Sequence, residues 1–166
     1  MNSIKYVTGD ATCPDGSGKR VIAHVCNNVG AFGAGFAAAL ERRWLKCNWI
    51  SKAYKNWEKT GKPVPFELGN IIAVNASPNS ELIVVHMLAQ NGLPTRSNPR
   101  PACLRSLEMC LEKLAKYAAG AGMSIHMPKI CTGFGGVNDW REIENLIELK
   151  LCSKDIPVTI YTLQKE

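Results

Sequence analysis

The sequence predicts an α/β domain whose mostly parallel sheet, mixed and of about six strands, is covered by helices on both faces. Three observations carry the prediction. Short β-rich apolar runs alternate with helical segments almost to the C-terminus. Two glycine-rich loops each follow an apolar run directly. After residue 103, leucines recur at three- and four-residue spacing, which is one apolar face of a helix. In such sheets ligands bind beyond the carboxyl ends of the strands, where strand-to-helix loops gather.

"IKYV" (4–7) and "RVIAHVC" (20–26) are the first two strands, separated by the turn-prone "GDATCPDGSGK". "NNVGAFGAGF" follows, and then a helix from about Gly35 to Lys46. "WISKAYKNWEKTG" (49–61) is a second helix, stopped by glycine with a proline two residues on. "GNIIAVNAS" and "ELIVVHML" flank the turn "SPNS" and predict a hairpin. The proline-rich "QNGLPTRSNPRP" (90–101) is a loop. Leu104, Leu107, Leu111, Leu114 and Ala118 form the apolar face of the next helix. "MSIHMPKI" (123–130) is a strand broken by its proline, and it runs into "CTGFGGVND" (131–139). "WREIENLIELKLC" (140–152) is helical, with Ile143, Leu146, Ile147 and Lys150 on one face. "VTIYTL" (158–163) closes the chain as a strand.

The chain's 166 residues fit a single domain, 1–166, and 46% of them are hydrophobic, enough for a sizeable core. No window approaches the ~18 apolar residues of a membrane span, and "MNSIKYVTGD" has no apolar signal region. The seven cysteines include no CxxC pair and are odd in number. They are expected to be reduced thiols in a cytoplasmic or nuclear compartment. A net charge of +6 favours phosphate-bearing partners. Nucleic acid is disfavoured as a partner, because only 7% of residues are aromatic and no binding motif is present. The chain is expected to act as a monomer, with no cofactor and no membrane partner.

Gly30, Gly33 and Gly35 follow a G-x-x-G-x-G order, which matches neither the dinucleotide fingerprint nor the P-loop of NTPases. The physics of such loops persists. Glycine allows close backbone approach, successive N–H groups form an anion-binding nest, and a helix starting near Gly35 aims its dipole at the same point. The competing reading is a tight connection with no ligand. Asn27 and Asn28 carry amides suited to ribose hydroxyls, or they bond their own turn. Asp10 accepts from an exocyclic amine such as that of adenine, or it caps a turn. Phe36 and Phe134, one near each loop, flank a planar group or belong to the core.

Among titratable residues, His24, His86 and His126 lie within strands, where structural histidines are the commoner case. Their separations give no H-E-x-x-H or comparable pattern, so no metal is expected. Asp139 precedes a helix, as an N-cap or as an acid or base. Cys26 and Cys131 flank the loops, but no base in the sequence pairs with either.

"IKYVTGDAT", "IAHVCNNVGAFGAGFAAAL", "VVHMLAQNGL", "MPKICTGFGGVNDW" and "VTIYTL", in this order and spacing, resemble the macrodomain family, a three-layer α/β/α fold that binds ADP-ribose. The likeness covers nearly the whole chain. It is strongest to the Appr-1″-p processing branch, with the terminal ADP-ribose protein glycohydrolase and the yeast ADP-ribose 1″-phosphate phosphatase. The resemblance implies that Asp10 binds the adenine amine, with Ala11 supporting it through its backbone. It implies that Asn27 and Asn28 face the distal ribose. Gly33, Ala34, Gly35 and Phe36 would line the diphosphate and ribose from one side, and Gln90 would belong to the same ligand-binding set. Cys131, Thr132, Gly133, Phe134, Gly135 and Gly136 would do so from the other side.

In the glycohydrolase that the chain resembles, a lysine after the central strand and an aspartate in the second loop carry the reaction; here the strand "ELIVVHML" runs into Ala89, Gln90 and Asn91, and the second loop reads "GFGG". The phosphatase-like reading keeps His24, with Asn28 or Asp139 orienting water, and makes these three the catalytic candidates. The implied activity is hydrolysis of an ADP-ribose derivative: a 1″-phosphate, an O-acetyl ester, or an ADP-ribosyl ester on protein. The alternative is a non-catalytic reader of mono-ADP-ribosylated protein.

Overall fold

Six strands form one mixed sheet in the order β1-β6-β5-β2-β4-β3 in a computed structural model that describes residues 3–44, 49–132, 136 and 139–163. The strands are β1 (Lys5–Thr8), β2 (Arg20–Asn27), β3 (Ile71–Asn75), β4 (Leu82–Gln90), β5 (Ser124–Pro128) and β6 (Val158–Thr162). The helices are α1 (Gly35–Arg43), α2 (Trp49–Thr60), α3 (Leu104–Ala118) and α4 (Trp140–Lys150). Every neighbouring pair is parallel except β3–β4, the predicted hairpin.

Two boundaries differ from expectation. The first helix, expected to reach about Lys46, ends at Arg43 with Trp44 as its C-cap. The final helix stops at Lys150, and a short 3-10 turn at Cys152–Lys154 leads to Asp155, whose backbone turns left-handed at φ 60°.

Side-chain alternation along the central strands builds the layers. Val21 and Ala23 of β2, with Ile83, Val85, Met87 and Ala89 of β4, join the core beneath α3 and α4. Ile22 and Cys26 of β2, with Val84 and Leu88 of β4, join two clusters under α1 and α2, around Leu40, Tyr54 and Trp57. The leucine face of α3 is buried as its spacing predicts, through Leu107, Leu111, Leu114 and Ala118. Ile143 and Ile147 bury the matching face of α4. Lys150 leaves the core instead and ties α4 to α3 through Glu108 and Glu112, at 3.2 and 2.7 Å. No helix among the described residues is long and apolar enough to cross a membrane.

This topology positions the site. β2 and β5 are parallel neighbours, so their carboxyl ends lie side by side at one edge of the sheet. The two glycine loops leave from that edge, one from each strand.

Candidate functional site

Two adjoining cavities open at this edge, of about 490 and 600 Å³. Volumes of this order hold nucleotide-sized ligands. Val25, Gly35, Phe36 and Gln90 border both cavities. Gly33, Ala34 and Asn27 line the larger; Cys131, Thr132, Gly136 and His24 line the other. The structure thus brings most of the predicted binding residues to one cleft. Gly133, Phe134 and Gly135 lie outside the described residues.

The backbone of the first loop is open where α1 begins. Gly35 starts α1 at φ +57°, and nothing lies within 4 Å of a Cβ placed there. A larger side chain would therefore enter the open cleft, in a conformation that L-residues adopt reluctantly. Ala34 caps α1 without a side-chain bond, and no acidic residue sits in the first turn. The first N–H groups and the positive dipole end are left for a ligand. In the second loop Cys131 has a left-handed φ of 59°, a conformation rare outside glycine. A Cβ on Gly136 would fall on the Cys131 carbonyl, so this turn requires glycine there.

Asn27 lines the larger cavity but turns its amide into its own loop. It is 8% exposed. Its Oδ1 accepts from the N–H groups of Val29 and Ala31 at 3.0 and 3.1 Å, and its Nδ2 donates to the Ala31 carbonyl at 2.7 Å. The amide is spent on shaping its own loop, the turn reading the sequence allowed. Asn28 is more accessible. Its Nδ2 donates to Asn91 Oδ1 at 3.1 Å, and its Oδ1 accepts from Gly92 N–H at 2.8 Å. This pins the first loop to the segment after β4. Asp10 is exposed at the end of β1. Its Oδ1 accepts from the N–H and hydroxyl of Thr12, at 2.9 and 2.8 Å. Among the described residues its second carboxylate oxygen has no hydrogen-bond partner, so Asp10 caps a turn and keeps an acceptor. Ala11 is buried beside it.

The catalytic candidates sit differently from one another. Asp139 is the N-cap of α4, with Oδ1 accepting from Arg141 N–H at 3.0 Å and the guanidinium 3.2 Å from Oδ2. The Arg141 side chain holds its carboxyl below the usual range, and the backbone N–H adds to this. Neither Asp139 nor Asn28 lines the two cavities. His24 does, but it is 2% exposed. Its Nε2 lies 2.6 Å from Nδ1 of His86, its cross-strand partner. Burial first, then the neighbouring imidazole, pushes its pKa well below the ordinary histidine value.

Three features escaped the sequence reading. Cys26 has histidine neighbours after all: Sγ lies 3.5 Å from His24 Nε2 and 3.7 Å from His86 Nδ1. The signal was the i, i+2 spacing of His24 and Cys26 on a strand, which gives them one face. Arg42 of α1 joins Phe36 and Ala39 in the cavity wall, readable from their three-residue steps along the helix. With Lys129 it makes the wall cationic.

No family model matches the chain. It is 27% identical to the ADP-ribose 1″-phosphate phosphatase of Saccharomyces cerevisiae, over 98% of this chain and all of that protein. A solved macrodomain protein from Streptomyces coelicolor is 34% identical, with 96% of this chain and 99% of that one aligned at a TM-score of 0.81. A protein of unknown function from Bacteroides thetaiotaomicron is 36% identical, with 96% and 97% aligned at a TM-score of 0.86.

Proposed function

The chain belongs to the macrodomain family, and from that premise we propose that it binds ADP-ribose and hydrolyses a derivative carrying a labile group on the distal ribose. One observation carries the binding reading. The uncompensated N-terminus of α1 and the Gly35 backbone face the Cys131–Thr132 backbone across a single cleft with cationic walls. That arrangement suits a diphosphate held by main-chain N–H groups. Asp10 would receive the adenine amine on its remaining acceptor oxygen. Asn28 and Gln90 would meet the ribose. The full-length similarity to a protein named as an ADP-ribose 1″-phosphate phosphatase supports hydrolysis.

In this reading the reaction needs a positioned water and a proton carrier. Asn28, fixed by Asn91 and Gly92, would orient the water. His24 would move the proton, because Nδ1 keeps a lone pair if Nε2–H donates to His86. Asp139, held ionised by Arg141, would serve only as an acceptor. Six described cysteines are free thiols, which supports placing the protein in a reducing, intracellular setting. A non-catalytic reader of mono-ADP-ribosylated protein is the second reading. It is favoured by the burial of His24, the capping role of Asp139, and a β4 end that offers Gln90 and Asn91, whose amides do not transfer protons at neutral pH.

The test is incubation with ADP-ribose 1″-phosphate, O-acetyl-ADP-ribose and mono-ADP-ribosylated protein side by side, with calorimetry on free ADP-ribose. Turnover of one of the three establishes the hydrolase. Binding without turnover of any establishes the reader.

A further inference from the structure

We propose that His24, Cys26 and His86 form a binding site for a thiophilic transition metal, with Zn²⁺ as the ion the donor set suits. The register pairs His24 with His86 across β2 and β4, and Cys26 lies two residues beyond His24 on the same face. All their ligand atoms fall within 4.8 Å of one another. Zinc bonds of ~2.0–2.1 Å to nitrogen and ~2.3 Å to sulfur at tetrahedral angles place nitrogen and sulfur about 3.5 Å apart. The Sγ–nitrogen distances of 3.5 and 3.7 Å already match. Only the two imidazole nitrogens, 2.6 Å apart, must open, to about 3.3 Å by the same bond lengths.

A second observation is independent of those distances. His86 Nε2 lies 3.0 Å from the Ile50 carbonyl, which can only accept. That bond fixes the proton on Nε2 and leaves the Nδ1 lone pair facing the cluster. A backbone carbonyl holding the far ring nitrogen is the usual support of a metal-bound histidine. No further His, Cys, Asp or Glu among the described residues completes the group. A three-ligand set leaves the fourth position to water. His24 and Cys26 each border one of the two cleft cavities, which gives an ion its way in.

Loading balances simply. The Cys26 thiol releases its proton to solvent, the His24 proton moves from Nε2 to Nδ1, and the ion takes the three freed lone pairs with no redox change. The site does not depend on the ADP-ribose reading. A bound ion would occupy His24 Nε2 and leave Nδ1 protonated, so it would suspend the proton-transfer role given to His24 above.

The experiment is a Co²⁺ titration of the chelator-stripped full chain, read by the thiolate-to-cobalt charge-transfer band, followed by displacement with Zn²⁺. The expected result is one equivalent bound, with the band retained in Cys103→Ser and lost in Cys26→Ser. Affinity in Cys26→Ser should be weaker by roughly 100-fold or more, since even outer-shell changes cost 10–100-fold. X-ray absorption on the zinc-loaded wild type needs no variant to fold, and should find one sulfur and two imidazoles around the ion. No thiolate band in the wild type, a band that survives Cys26→Ser, or an oxygen-only shell overturns the proposal.

Discussion

The Tyr54 hydroxyl lies 2.6 Å from the Asn27 carbonyl and 2.9 Å from its side-chain oxygen, so one O–H from α2 holds the base of the first glycine loop. Tyr54 is fully buried and Asn27 nearly so. The pair links the α1–α2 layer to the cleft, whose wall Asn27 joins. Tyr54→Phe should destabilise the fold by about 1–3 kcal/mol, the cost of leaving buried acceptors short of a donor. It should also weaken ADP-ribose binding, because the loop that presents Gly33 and Gly35 loses its anchor. Urea unfolding and calorimetry read the two effects. Lost stability with unchanged affinity would make the bond purely structural.

Asp10 tests the adenine end. Thr12 uses one of its oxygens, and the ligand would use the other. Asp10→Ala should weaken ADP-ribose by about 1.5–3 kcal/mol, the range for a charged hydrogen bond. Adenosine should weaken in parallel. Unchanged affinity for both would leave Asp10 as a turn cap alone.

His24 tests the chemistry. In chelator-treated protein, proton transfer by its imidazole predicts a loss on the order of 10²–10⁴ in kcat for His24→Ala, with ADP-ribose affinity nearly unchanged. A purely structural role predicts a lower melting temperature, with binding and turnover falling together. Full activity in a stable His24→Ala protein would contradict both and return attention to Asp139.

His126 is expected to set part of the acid sensitivity of the fold. The Tyr161 oxygen accepts from Asp15 N–H at 2.9 Å, and the same oxygen lies 2.7 Å from His126 Nδ1 in a hydrogen bond. Ser124 Oγ lies 2.8 Å from the other ring nitrogen, Nε2. Burial, and then nearby Arg20, lower its pKa to about 4, against a smaller opposing effect of Asp15. The unfolded chain therefore takes up a proton that the folded chain refuses. The stability tied to His126 is full above pH ~6.5 and is lost as pH falls toward about 4, by at most roughly 3 kcal/mol. Melting curves across that range should fall less steeply in His126→Gln than in the wild type. Parallel curves would contradict the assignment.

Much of this was legible in the sequence for local reasons. The i, i+3, i+4 leucines of α3 and the β-branched run of β4 each require one element type wherever they sit. The two glycine loops could be placed at one edge because parallel strands share a carboxyl end. What stayed hidden depends on which strands become neighbours and in what register. His24 and His86 are 62 residues apart, and only the β2–β4 pairing makes them a pair. Asn27 and Asn28 are chemically identical in sequence, yet one turns inward to Tyr54 and the other outward to Gly92. Alternation at a strand end sends the two opposite ways, but the inward partner, Tyr54, lies 27 residues further on and no local pattern names it. Asp139 reads in sequence as cap or catalyst, and the structure shows the cap, with its side chain accepting from Arg141 N–H.

The most direct test of the binding claim is a calorimetric titration of ADP-ribose into the wild-type chain and into Gly35→Glu. The variant has room to fold, since nothing lies within 4 Å of a Cβ at this position. Its positive φ costs roughly 1–2 kcal/mol with a side chain present. The expected result is one saturable site in the wild type and no binding in a folded Gly35→Glu protein, whose carboxylate would occupy and repel the diphosphate position. A flat wild-type isotherm, or a folded variant that binds as tightly as the wild type, would contradict the account.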